Sequence, residues 1–148
     1  MKIAIGNDHV GLELKEKLDS YFDSKEIEIV HFGTFTTERM NYPEIAFQLS
    51  EAVARGEFDS GILICGTGAG MSLSANKVDG IRSVVCSEPY SARMAREHNN
   101  ANILCFGSRV IGSEVAQMIL DNWFESEYKG GRHQDRVEMI NNYKHSDV

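Results

Sequence analysis

The stretch Gly61-Ile62-Leu63-Ile64-Cys65-Gly66-Thr67-Gly68-Ala69-Gly70-Met71-Ser72 decides how this chain is read. Its first five residues are apolar throughout, the pattern of a central parallel strand covered on both faces. Three alternate glycines then open a helix over roughly 70–77, letting backbone N–H groups converge where an oxyanion or phosphate can sit. Cys65 stands at the mouth of this nest, where helix-terminus charge favours thiolate over thiol. A cysteine phosphatase loop would need an arginine six residues after its cysteine, and Met71 occupies that place. The alternative for Cys65 is a small buried hydrophobe. Beside this loop the functional reading is preferred, whereas Cys86 and Cys105 are read as core.

Outward from this stretch, strand and helix alternate. Apolar runs at 2–6, 81–86 and 103–106 and an alternating segment at 26–32 join 61–65 as strands, and helical periodicity covers 11–24, 89–98, 113–125 and 134–143. A further helix starts at Asn41-Tyr42-Pro43-Glu44, with proline pre-set for the first turn and an acid near the positive end of the dipole, and closes at Gly56. Leu14, Leu18, Tyr21 and Phe22 share one helix face, as do Ile45, Leu49 and Val53. The alternation predicts an α/β fold, a Rossmann-like three-layer αβα sandwich on a five-stranded parallel sheet, forming one domain over 1–148. Ligands in such folds bind beyond the carboxyl ends of the strands.

Composition narrows the function. With 148 residues, 42% apolar and 25% charged, the chain has globular proportions, and no apolar run reaches the roughly 20 residues that span a bilayer. A formal charge of −7 argues against nucleic acid or an anionic membrane as partner, but not against a small anion held by a few focused arginines. Three cysteines, an odd count without C-x-x-C spacing, argue for reduced thiols over disulfides or a zinc site. Met1–Ile5 enters a strand pattern at once and Asp8 follows too soon for a signal-peptide core, so a cytoplasmic location is expected. The end of the chain, 144–148, is read as exposed and uninformative.

The residues that follow each strand carry the remaining signal. Gly6-Asn7-Asp8-His9-Val10-Gly11 has the glycine spacing of a P-loop, but Leu12-Glu13 replaces the required Lys and Ser/Thr, and no G-x-G-x-x-G occurs there. Asp8 and His9 are either a solvated turn or a hydroxyl- and anion-binding pair. Tyr90, Met94 and His98 recur every four residues, so His98 is either a C-terminal charge on an amphipathic helix or an acid–base group. Arg109 follows the fifth strand. Gly130-Gly131-Arg132-His133-Gln134-Asp135-Arg136 places Arg132 and Arg136 four apart on one helix face, suited to phosphate oxygens or to ordinary solvent exposure.

Taken together, the runs Asn7-Asp8-His9-Val10-Gly11, Ile64-Cys65-Gly66-Thr67-Gly68-Ala69-Gly70-Met71, Ala75-Asn76-Lys77, Cys86-Ser87-Glu88-Pro89-Tyr90-Ser91-Ala92 and Gly130-Gly131-Arg132-His133 resemble the ribose-5-phosphate isomerase B family, whose wider membership includes galactose-6-phosphate isomerase. The resemblance runs in order along essentially the whole chain. It implies an aldose–ketose isomerase that interconverts ribose 5-phosphate and ribulose 5-phosphate without metal or cofactor. Cys65 would move the proton between C1 and C2, and Thr67 with the amides of Gly66, Gly68, Ala69 and Gly70 would hold the enediolate. His98 would open the furanose ring, Asp8 would bind ring hydroxyls and Asn99 the sugar. His9, Arg109, Arg132 and Arg136 would bind the phosphate.

The resemblance further implies a homodimer or homotetramer with sites built across two chains, the C-terminal helix packing on the partner. His98, Asn99 and Arg109 would then face a cysteine of the other chain. Three other readings are carried: a hexose-6-phosphate isomerase, a sugar-phosphate binding module without turnover, and a flavodoxin-like redox carrier that would need an FMN site.

Overall fold

The computed structural model describes residues 1–143. Its strands are β1 (Lys2–Asn7), β2 (Glu28–His31), β3 (Ser60–Cys65), β4 (Ser83–Val85) and β5 (Ile103–Gly107). They form one parallel sheet in the order β2-β1-β3-β5-β4. The helices are α1 (Leu12–Ser24), α2 (Tyr42–Ala54), α3 (Ala69–Ala75), α4 (Pro89–Asn99), α5 (Ser113–Glu125) and α6 (Arg132–Asn142). The α/β sandwich expected from the alternation is therefore the fold. No helix among the described residues is long and apolar enough to cross a membrane.

Strand side chains alternate between faces, and this period divides the core in two. Ile3, Ile5, Ile62, Ile64, Leu104 and Phe106 pack with α1, α4 and α5, whereas Ala4, Leu63, Cys65, Ile103 and Cys105 pack with α2 and α3. The stripes read from helical spacing, Leu14-Leu18-Tyr21-Phe22 and Ile45-Leu49-Val53, are all buried. Cys86 and Cys105 are core as expected, and burial pushes both thiols up to about 12, leaving them protonated at neutral pH. None of the three cysteines is in a disulfide.

The differences from expectation lie at element ends. β2 starts at Glu28 rather than 26, because Glu26 takes a left-handed φ of 55° in the turn that leaves α1. β4 is shorter than 81–86: the Arg82 N–H donates to the side chain of Asn102 instead of to a neighbouring strand. α3 stops at Ala75 rather than 77, and α6 begins at Arg132 rather than 134, which brings both arginines into the helix. The Tyr90-Met94-His98 stripe does not face the core of its own chain. Ala92 and Ala95 do, and Tyr90 is 70% exposed. The expectation for 144–148 falls outside the described residues.

Candidate active site, divided between two edges of the sheet

The chain leaves β1 for β2 on one side and later enters β3 on the other, and this reversal opens a crevice at the carboxyl ends of β1 and β3. Cys65 is the last residue of β3, in register with Gly107 at the end of β5. It is 5% exposed, and its Sγ accepts the N–H of Gly68 at 3.1 Å. Gly68 reaches this position with a φ of 84°, and a Cβ there would lie 3.0 Å from the backbone of Phe106, so glycine is required on both counts. The carbonyls of Cys65 and Gly66 accept the N–H groups of Ser108 (2.8 Å) and Arg109 (3.1 Å), which bolts the loop to the end of β5. The hydroxyl of Thr67 accepts the N–H of Ala69 at 3.2 Å on the exposed side of the loop. Since α3 has only seven residues, its dipole is small. The group aimed at the sulfur is a loop amide rather than a helix terminus.

Beside this loop, Asp8 is buried, and its Oδ1 accepts the N–H groups of Val10 (3.0 Å) and Gly11 (2.8 Å). This turn carries the chain from β1 into α1, and a Cβ on Gly11 would lie 2.3 Å from the carbonyl oxygen of Ile64. His9 Nδ1 accepts the N–H of Met40 at 3.4 Å, so the neutral ring carries its proton on Nε2 and presents a donor there. His9, Lys17, Ser108 and Arg109 line a cavity of about 420 Å³ at this edge. Arg109 stands next to Gly66 of its own chain: a Cβ on Gly66 would be 3.9 Å from the Arg109 Nη1. Within the chain Arg109 thus lies beside its own cysteine loop, whereas the sequence reading grouped it with His98 and Asn99.

His98 and Asn99 end α4, and α4 runs back to the amino end of β5. The β3 residues from Gly61 to Cys65, about 13 Å of strand, separate that edge from the cysteine. The structure thus does not bring His98 to Cys65 within one chain. It brings His98 to α6 instead: the rings of His98 and His133 stack at 4.2 Å with an interplanar angle of 11°. Burial, then His98, Arg132, Arg136 and Lys129, hold the His133 imidazole below its usual range, so it stays neutral at neutral pH. Arg132 and Arg136, one turn apart, are exposed on the same helix.

Three residues at these two edges were not singled out from sequence. Tyr42, read only as part of a helix start, lies across the glycine loop, where a Cβ on Gly70 would come within 2.5 Å of its ring. Ser108 donates its hydroxyl to the carbonyls of Val10 (3.0 Å) and Cys65 (3.3 Å), joining the ends of three strands. His133 was legible only as a member of the Gly-Gly-Arg-His run. None of these had a spacing signal, because each acts through a neighbour distant in sequence.

The family model described as Ribose/Galactose Isomerase matches residues 3–140. Ribose-5-phosphate isomerase B of Escherichia coli (strain K12) is 55% identical over 139 residues, covering 94% of this chain and 93% of that protein. Among solved structures, ribose-5-phosphate isomerase B of Clostridium thermocellum is 49% identical with a TM-score of 0.93, covering 95% of each chain. The Mycoplasma genitalium ribose-5-phosphate isomerase B with bound ribulose 5-phosphate is 36% identical with a TM-score of 0.91, covering 96% of this chain and 95% of that one. The match runs nearly end to end in sequence and in fold, and the chain belongs to the ribose/galactose isomerase family and is an isomerase.

Proposed function

We propose that the chain interconverts ribose 5-phosphate and ribulose 5-phosphate at a site shared by two copies of itself. The observation that carries this reading is the divided site. A sulfur with an amide aimed at it lies at one edge of the sheet, and a histidine with two arginines lies at the other. Proton transfer needs a base, an oxyanion holder and a phosphate anchor together. Two copies related by a twofold axis supply them by setting the His98 edge of one on the Cys65 edge of the other.

The exposed surface supports this pairing. Within its own chain α6 buries Val137, while Met139 (73%) and Ile140 (57%) are exposed. Val85 of the edge strand β4 and Leu73 of α3 are exposed too, and a groove of about 620 Å³ runs between the 76–84 segment and α6. Apolar side chains on a helix and a sheet edge fit a second copy, and α6 is the element that would pack on it.

In the reaction, His98 opens the furanose ring. The Cys65 thiolate takes the proton from C2 of the open aldose, and the electron pair moves to the carbonyl, leaving an enediolate. The amides of Gly66, Gly68, Ala69 and Gly70, with the Thr67 hydroxyl, hold its oxygens. Cys65 returns the proton to C1 while the O2 proton passes to O1, giving the ketose. His9 and Arg109 of one chain, with Arg132 and Arg136 of the other, hold the phosphate. Asp8 binds the ring hydroxyls and Asn99 the sugar. The phosphate contacts fix the reacting carbons against the sulfur. No metal or nucleotide enters these steps, and none of the partners is nucleic acid or membrane.

The test is conversion of ribose 5-phosphate by the purified protein in EDTA, with Cys65→Ala alongside. Turnover by the wild type and none by the variant supports the cysteine base. If the wild type is inactive on this sugar but active on allose or galactose 6-phosphate, the substrate is a hexose phosphate. Binding without turnover of any of them would leave a binding module.

A further inference from the structure

Glu97 is an acid in the last turn of a helix, the end where negative charge is least favourable, and it is only 6% exposed. Two cations meet its carboxylate. Arg93 Nε donates at 2.8 Å from one turn back on α4, and Lys129 Nζ lies at 2.9 Å, from the connector between α5 and α6. The Lys129 N–H also donates to the Glu97 carbonyl at 3.0 Å. The connector is therefore tied to this one residue twice, by side chain and by backbone.

The neighbours of the two tied residues are functional. His98 and Asn99 follow Glu97 directly, and Gly130-Gly131-Arg132-His133 follows Lys129. Gly130 and Gly131 have φ of 58° and 59°, and a Cβ on either would meet nothing within 4 Å. These glycines serve backbone freedom rather than close packing. α6 buries only Val137 among its described residues, and two further holds, the His98–His133 stack and Arg82 Nη1 donating to Asn141 Oδ1 at 2.9 Å, act on the helix itself and not on the connector that leads into it. A free-turning pair of glycines next to a weakly packed helix needs a fixed point upstream.

We propose that the tie between Glu97 and Lys129 is that fixed point: a positioning device that sets α6 on α4 and so places Arg132 and Arg136 relative to His98 and Asn99. The proposal rests on the reading of that edge as half of a sugar-phosphate site. Glu97 and Lys129 act through their neighbours and touch no substrate. Arg93 meets the same carboxylate, but from within α4, so it balances charge without orienting α6.

The test compares Lys129→Met with Arg93→Met. Each removes one cation from the same carboxylate, so both cost similar stability, but only the first takes away a tie to the connector, its side-chain half, leaving the backbone hydrogen bond alone to hold it. Lys129→Met is expected to raise KM for ribose 5-phosphate about tenfold with a smaller loss in kcat. Arg93→Met should stay within about twofold on both, and Lys129→Arg, which keeps charge and reach, should restore the wild-type KM. Independently of turnover, the ring-proton NMR signals of His98 and His133, displaced by stacking, should move in Lys129→Met and hold in Arg93→Met. Equal kinetics for the two methionine variants, or unmoved ring signals in Lys129→Met, would overturn the proposal. A wild type inactive on ribose 5-phosphate would instead overturn the proposed substrate, and the ring signals alone would then judge the tie.

Discussion

The N–H of Ser108 donates to the carbonyl of Cys65 at 2.8 Å, so the residue after β5 holds the last residue of β3 in place. One residue earlier, Gly107 lies so close to the loop that a Cβ there would be 2.5 Å from the Thr67 Cα. Gly107→Ala should therefore push the 66–68 segment away from β5. We expect a loss of about 1–3 kcal/mol in unfolding free energy and a fall in turnover far beyond what that instability explains. Denaturant unfolding measured beside kcat checks this.

Cys65 differs from the other thiols in where it sits. Cys86 and Cys105 are held protonated inside the core, while Cys65 opens onto the glycine loop. Iodoacetamide on the native protein should alkylate Cys65 alone, with loss of activity in step, and ribose 5-phosphate should slow it. Peptide mapping that finds Cys86 or Cys105 labelled first would contradict the assignment.

A site shared between chains makes a specific claim about mixtures. Cys65→Ala and His98→Ala should each be inactive on ring-closed substrate. Mixed one to one and allowed to exchange subunits, they should recover about a quarter of wild-type activity, because half the dimers are mixed and each holds one intact site. No recovery after confirmed exchange would place both residues in the same chain's site.

Arg136 lies one turn beyond Arg132 on the exposed side of α6. Removing one guanidinium from a phosphate anchor weakens ground and transition states alike, so Arg136→Ala should raise KM at least about tenfold with little change in kcat. Steady-state kinetics on ribose 5-phosphate give the answer directly.

Two histidines link stability to pH. His31 is held below its ordinary value of 6.5 first by burial and then by Lys15, with Asp19 opposing, and His133 likewise by burial and its basic neighbours. A depressed histidine binds its proton more weakly folded than unfolded, so its contribution is complete above about 6.5 and is lost as pH falls through the folded value. The thermal midpoint should be level between pH 7 and 8 and decline below about 6.5. His31→Gln with His133→Gln should flatten that decline, as followed by circular dichroism.

Much of this molecule is written locally. The all-apolar runs that became β1, β3 and β5, the stripes Leu14-Leu18-Tyr21-Phe22 and Ile45-Leu49-Val53, and the glycines at 66, 68 and 70 each state their structure in a few residues, because periodicity and backbone freedom are local properties. Strand ends such as those of β2 and β4 were harder, since pairing there depends on Asn102 and on turn geometry rather than on composition. The residues named from the family pattern were legible as a set but not as a place.

What the tertiary structure alone decided is which of them meet. The order β2-β1-β3-β5-β4 inserts β5 beside β3, and this puts Arg109 with its own Cys65. The same topology carries His98 to the opposite edge, against His133. Sequence by itself determined the elements and the chemistry they carry. Long-range strand order, which no local pattern encodes, determined that Cys65 and His98 of one chain lie at opposite edges of the sheet.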